Sequence, residues 1–224
     1  MADPSDRALI DEQIAYYRAR AGEYDATSTI DDDPFAEQTR RVRAALDAFA
    51  PRGRVLELAA GTGQWTAQLA DHADELLVTD ASPEMLELNR AKVGERPNVR
   101  YHVADALALA TDRRYDVVFF GFFLSHVPPG RFDAFWATVA GLLAPGGRVF
   151  LVDEADHGLW EEDWVDRSAG LIHRRLNDGS LHRAVKVLWR PDELEARLAH
   201  LGWRAAVHLG LPFYWGTAER AAAA

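Results

Sequence analysis

The apolar run Arg54–Leu58 contains Glu57 and leads straight into Ala59-Ala60-Gly61-Thr62-Gly63. Glycines at such a strand-to-helix turn let the backbone approach a nucleotide closely and take dihedrals that a side chain disfavours. The third glycine of a dinucleotide fingerprint is replaced by Thr66, so a nicotinamide pyrophosphate suits this loop poorly. Asp80 ends the next apolar run, Glu75–Asp80, where a carboxylate can accept both hydroxyls of a ribose. Asp105 follows the run that ends at Val103 and can accept from an adenine amino group. Taken singly, the loop reads equally as an ordinary turn and each aspartate as a helix cap. Set at successive strand ends, the three describe a nucleotide site with no pyrophosphate.

A second group of residues could act on an acceptor. His126 follows the apolar run Tyr115–Gly121 and has the chemistry of a general base, of a hydrogen-bonding positioner, or of a structural residue. An acceptor oxygen that is already anionic needs no base, only orientation and a desolvated site, so the positioning role comes first. Further along, Ala169–Leu176 and Leu181–Trp189 flank Asn177-Asp178-Gly179, the signature of a β-hairpin. If Leu176 and Ser180 bracket a three-residue turn, Arg174 lies opposite His182 and the even-numbered residues share a face. Arg174, His182 and Lys186 then project together, a guanidinium and an ammonium suited to a phosphonate or carboxylate. Arg175 and Arg183 point away, toward solvent or the acidic stretch 153–166. The alternative for the whole cluster is a solvated polar face. The aromatics Phe119, Phe120, Phe122, Phe123, Trp160, Trp164 and Tyr214 offer either pocket walls or core.

These residues need a scaffold, and the periodicities supply one. Strand patterns over 54–58, 75–80, 98–103, 115–121 and 148–152 alternate with helical ones over 64–70, from Pro83 and over 131–143. Ser82-Pro83 is a capping serine followed by a proline in the first helical position. Such alternation predicts a doubly wound α/β fold with a mostly parallel, seven-stranded sheet. Helices over 5–24, with Leu9, Ile14 and Tyr17 on roughly one face, and over 35–49 precede it, separated by the acidic break Asp31–Pro34. A helix from Pro191 and strands over 203–209 and 212–216 complete it, and residues 154–190 form an inserted β-hairpin lid.

The motifs VLELAAGTGQWT, LLVTD, VADAL and LLAPGGRVFLVDE together resemble class I S-adenosylmethionine-dependent methyltransferases. The resemblance implies that Gly61 and Gly63 flank the methionine part of the cofactor, Asp80 holds its ribose and Asp105 reads its adenine. It also implies that Glu57 orders the loop near the methionine amino group. Ala81, Met85, Ala106 and Gly121 are further candidate cofactor contacts. The stretch Tyr16–Asp25 resembles the helix that closes over the cofactor in small-molecule members, with Arg20 placed for the methionine carboxylate and Tyr16 or Tyr17 beside it. This start, the Ser125–Trp136 stretch and the hairpin together resemble the actinobacterial phosphonate O-methyltransferases of dehydrophos-type antibiotic biosynthesis. Methyl transfer to a small anionic acceptor follows, with His126, Arg174 and Lys186 as the catalytic candidates. Transfer to another small natural-product acceptor, a carboxylate, a phenol or an amine, and cofactor binding without transfer are the alternatives.

At 224 residues the chain suits one such domain, residues 1–50 covering the cofactor and 154–190 the acceptor. A net charge of -10 disfavours nucleic-acid partners. The absence of cysteine excludes disulfides and thiolate chemistry, and the scattered histidines predict no metal. No signal-like start and no apolar run near the ~18 residues of a membrane span predict a cytoplasmic protein, monomeric or homodimeric.

Overall fold

The computed structural model describes residues 4–24, 35–156, 158 and 161–221, with side chains from residue 7. The acidic break Asp31–Pro34 and Trp160 lie outside the described residues. The first helix, α1, spans Pro4–Arg20 and passes into a short 3-10 turn at Ala21–Glu23; α2 spans Ala36–Phe49. The alternating part follows as β1 (Arg54–Leu58), α3 (Thr66–His72), β2 (Glu75–Asp80), α4 (Pro83–Val93), β3 (Val99–Val103) and β4 (Tyr115–Gly121). Then come α5 (Phe132–Leu142), β5 (Leu143–Glu154), β6 (Trp164–Asp166), β7 (Leu171–Arg175) and β8 (Leu181–Val185). The chain ends with α6 (Pro191–His200), β9 (Trp203–Gly210) and β10 (Phe213–Arg220).

Seven strands make the main sheet in the order β3-β2-β1-β4-β5-β10-β9. β1 to β5 run parallel, and β10 is antiparallel to both β5 and β9. The alternation of β4 shows why both faces must be covered. Val118 and Phe120 enter one core with α5 and α6, while Val117 and Phe119 enter another with α2, α3 and α4. This is the doubly wound α/β architecture that the sequence predicts. Phe119, Phe120 and Tyr214 are core, at 1%, 0% and 0% exposure.

Several elements differ from the sequence reading, the last strand among them, which runs on to Arg220. Pro145-Gly146-Gly147 does stop α5, yet the chain is already paired at Leu143, opposite Tyr115. The register then shifts, and regular pairing resumes at Val117 and Arg148. The insertion is a three-stranded antiparallel sheet rather than a bare hairpin, because β6 pairs along β7 and covers an edge that a two-stranded unit would leave open. Finally, the fully buried residues of α1 are Ile10, Gln13 and Tyr16, while Leu9, Ile14 and Tyr17, which share the predicted face, are half-buried. The hairpin register is as expected, with Arg174 opposite His182 and Leu176 N–H bonded to the Ser180 carbonyl at 3.0 Å.

Candidate active site

Strand order reverses between β1 and β4, and a crevice opens beyond their carboxyl ends. A cleft with about 950 Å³ of free space, adjoining open solvent included, occupies that crevice. Its walls are the loop after β1, the ends of β2 and β3, the turn after β4, and one side of α1.

The glycine loop is shaped by φ angles. Gly61 has φ +54° and nothing within 4 Å of where a Cβ would stand, so its missing side chain opens space in the cavity wall. Gly63 has φ +92°, and a Cβ there would meet Asn89 at 2.9 Å. Asn89, fully buried on α4, donates to the Gly61 carbonyl at 3.2 Å and to Thr66 Oγ1 at 2.9 Å, and accepts from the Tyr101 hydroxyl at 3.2 Å. Ala59 lines the cavity at φ +50°, a left-handed position costing roughly 1–2 kcal/mol for a residue with a Cβ.

Two carboxylates stand in the walls. Asp80 accepts from Gly61 N–H at 2.9 Å and from Ser82 N–H at 2.8 Å. Burial pushes its pKa up, and these backbone bonds pull it back. Asp105 accepts from Leu107 N–H at 2.9 Å, so it is both a turn cap and a cavity wall. Between them Ala81, Met85 and Ala106 give an apolar wall, and the Ser82 hydroxyl caps α4 by accepting from Met85 N–H at 3.1 Å. Gly121 ends β4 where a Cβ would strike the Trp65 indole at 2.8 Å. Glu57 stands behind the loop rather than in the cavity wall, 0% exposed, with neither oxygen in full hydrogen-bond geometry. Burial pushes its pKa up to about 8, against a pull from the nearby Thr66 hydroxyl.

The other end of the cavity is built around His126, in the short turn Leu124–His126 after β4. Its Nδ1 lies 2.7 Å from the Val185 carbonyl, which can only accept, so Nδ1 carries the proton. Nε2 then accepts from the Tyr17 hydroxyl at 2.9 Å. Burial, then the nearby charges of Lys186, Arg174 and Arg20, lower the His126 pKa to about 3. The ring is therefore neutral. Asp153, 0% exposed at the end of β5, holds this turn by accepting from Ser125 N–H at 2.8 Å.

Of the residues picked out in sequence, Tyr17, Gly61, Asp80, Ala81, Met85, Asp105, Ala106, Gly121 and His126 line the cavity. Tyr16 does not; it is 2% exposed and packs its ring toward His182 at 5.6 Å between centroids. Arg20 stacks over the Tyr24 ring at 4.6 Å, beside the cavity rather than in its wall. Arg174 binds Glu162 through both guanidinium nitrogens, one at 3.0 Å, and Lys186 binds Glu154 at 2.5 Å. Neither cation is part of the cavity wall as it stands. Arg183 meets neither solvent alone nor the 153–166 stretch but Glu12 of α1, at 2.7 Å, because α1 lies along β8. Phe122 and Phe123 line the cavity, whereas Trp164 stacks under Arg167. No residue of α2 lines it. Sequence reasoning missed Gln13, Asn89 and Asp153. Asp153 alone left a signal, as a carboxylate at the end of a buried strand.

Residues 55–147 match the family model described as a methyltransferase domain. The demethylmenaquinone methyltransferase of Beutenbergia cavernae is 35% identical over 190 residues, which are 75% of this chain and 74% of that protein. The ubiquinone/menaquinone biosynthesis C-methyltransferase UbiE of a Shewanella species is 28% identical over 144 residues; the match spans 61% of this chain and 57% of UbiE. Among solved structures, DhpI in complex with SAH superposes with a TM-score of 0.82 at 38% identity, covering 96% of this chain and 98% of DhpI. DhpI was also solved with SAM and HEP, and that structure superposes with a TM-score of 0.80. This chain belongs to the class I S-adenosylmethionine-dependent methyltransferases.

The methyl donor is accordingly S-adenosylmethionine, and the cavity fits it on its own geometry. Gly61 leaves open space where a Cβ would stand, Asp80 offers acceptor oxygens at the end of β2, and the Met85 and Ala106 wall offers an apolar face. Among the described residues no three His, Asp or Glu side chains cluster as metal ligands, and no helix is long and apolar enough to cross a membrane.

Proposed function

We propose that this methyltransferase transfers its methyl group to an oxygen of a small anionic acceptor such as a phosphonate. Lys186 carries the reading: it follows directly on Val185, whose carbonyl accepts from His126 Nδ1, and Arg174 stands on the paired strand β7. Both cations are held by carboxylates, Glu154 and Glu162, so an anion entering beside His126 gains them by taking the place of those carboxylates. DhpI, which binds HEP together with SAM, supports a small second ligand next to the donor. On the donor side, Asp80 takes the ribose hydroxyls, Asp105 the adenine amino group, and Gly61 and Gly63 the turn over the methionine part.

S-adenosylmethionine supplies a methyl group on a cationic sulfur, so the chain's residues have to bring an oxygen in line with it and exclude water. His126 is a positioning residue in this reading. Its Nδ1–H is committed to Val185 and its Nε2 to the Tyr17 hydroxyl, so no ring nitrogen stands ready as a base. His126→Asn, which keeps a donor for the Val185 carbonyl, lowers kcat by less than the ~10² that loss of a general base costs. The pH–rate profile shows no His126 ionisation between pH 5 and 8, because a pKa of about 3 keeps the ring neutral throughout. A larger kcat loss together with a vanished pH limb would make the ring a base.

The deciding experiment is a radiolabelled methyl-transfer screen over phosphonates, carboxylates, phenols and amines. Turnover of the anions, and its loss in an Arg174→Ala, Lys186→Ala double variant, is the expected result. A second reading, methylation of an amine, draws on Glu154 and Glu162, which hold Lys186 and Arg174 and place carboxylates at the same end of the cavity. Exclusive turnover of amines would replace the first reading by the second.

A further inference from the structure

Gln13 sits on α1, 6% exposed, and lines the cavity. Its Nε2 donates to the His126 carbonyl at 3.1 Å, and its Oε1 accepts from Val185 N–H at 2.8 Å. The Val185 carbonyl in turn accepts from His126 Nδ1 at 2.7 Å. The three residues close a ring of hydrogen bonds across three distant segments: the helix over the donor, the turn after β4, and the insertion strand β8. Partner chemistry fixes the amide orientation, because a carbonyl requires a donor and an N–H an acceptor.

We propose that Gln13 is a positioning residue that joins the donor cover and the acceptor lid into one moving body. On this basis, a ligand held under α1 also orders the β6–β8 sheet, which carries Arg174 and Lys186 and does not line the donor cavity. The inference rests on the reading of α1 as the donor cover and is independent of the acceptor's identity. The ring contact of the buried Tyr16 with His182 also joins α1 to the insertion but forms no hydrogen bond, and the other polar links from α1 and the turn after it are more open. The Glu12–Arg183 pair is 30% and 50% exposed, and the Glu23 carboxylate accepts from Asn177 N–H at 3.2 Å on the surface. Exposed pairs contribute little, whereas a buried amide that loses its partners leaves a donor and an acceptor unsatisfied. Coupling of this kind is reciprocal, so an acceptor bound against β8 tightens the donor by the same factor that the donor tightens the acceptor.

The test needs no acceptor. Calorimetry with S-adenosylhomocysteine first establishes binding by the wild type, Gln13→Met, Gln13→Glu and Glu12→Gln. Hydrogen–deuterium exchange is then followed with and without this ligand. In the wild type, exchange slows over 59–65 and 80–85, which line the cavity, and about tenfold over 171–186, which do not. Gln13→Met, lacking both partners, and Gln13→Glu, unable to donate to the His126 carbonyl, keep the first protection and lose the second. Glu12→Gln keeps both. Protection of 171–186 that is absent in the wild type, or undiminished in both Gln13 variants, overturns the coupling while leaving the donor site intact. A wild type that does not bind the ligand at all removes the donor reading and the coupling with it.

Discussion

Glu57 and Asn89 are fully buried behind the Gly61 loop, outside the cavity wall. The Glu57 pKa is raised from 4.5 to about 8 by burial. A raised acid holds its proton more tightly when folded, so between those values the unfolded chain binds fewer protons and stability falls as pH rises. Glu57→Gln, neutral throughout, removes that slope. Thermal melts at pH 5 and pH 8 test it: the Tm of the variant minus that of the wild type grows toward pH 8 by at least ~3 °C, the shift about 1 kcal/mol gives in a chain of this size. A difference independent of pH would mean that Glu57 is ionised in the folded protein. Asn89→Ala leaves the Gly61 carbonyl and the Tyr101 hydroxyl without their buried partner. It costs about 1–3 kcal/mol of stability and weakens S-adenosylhomocysteine in calorimetry, because the freed loop must be ordered on binding.

At the scale of elements, what was legible was local. The Ser82-Pro83 start of α4 can be read from two residues, and the structure shows the cap bond and places Ser82 in the cavity wall. Ser82→Ala removes it at a cost of about 1 kcal/mol, read as a drop in Tm of ~2–4 °C, with α4 less well held beneath the Met85 wall. The runs over β1, β2 and β4 were legible to the residue for the same reason, since strand length and burial are written in consecutive side chains. The strand β6 was not, because three residues carry too little pattern to separate a strand from a loop. The partners of Arg174 and Arg183 were also hidden. Each guanidinium follows from the hairpin's period of two, but its carboxylate comes from another segment, Glu162 beside β7 and Glu12 beside β8. Gln13 is the extreme case: its bonds reach across 113 and 172 residues of sequence, and nothing near it marks it.

For the whole molecule, the two ends of the cavity are built by different means. The end proposed for the donor comes from successive strand ends of one parallel sheet, so the residues lining it recur at the spacing of the βα units and can be picked out in the sequence. The end proposed for the acceptor is assembled from α1, the turn after β4, the end of β5 and the inserted sheet, which meet only in the folded chain. This asymmetry predicts how the molecule responds to its ligands. S-adenosylhomocysteine binds the folded chain alone, so at a hundred times its Kd it stabilises by about 2.7 kcal/mol, or ~5–11 °C in Tm at 2–4 °C per kcal/mol. NADH gives no such shift at the same concentration, because the loop carries Thr66 where a pyrophosphate turn needs its third glycine. If Gln13 ties the two ends together, the shift with S-adenosylhomocysteine includes the ordering of the inserted sheet, and Gln13→Met lowers the shift while the unliganded Tm changes independently. Differential scanning fluorimetry with both ligands on both proteins decides the matter: a shift with NADH would contradict the donor assignment, and equal shifts in wild type and variant would mean that the two ends melt without reference to each other.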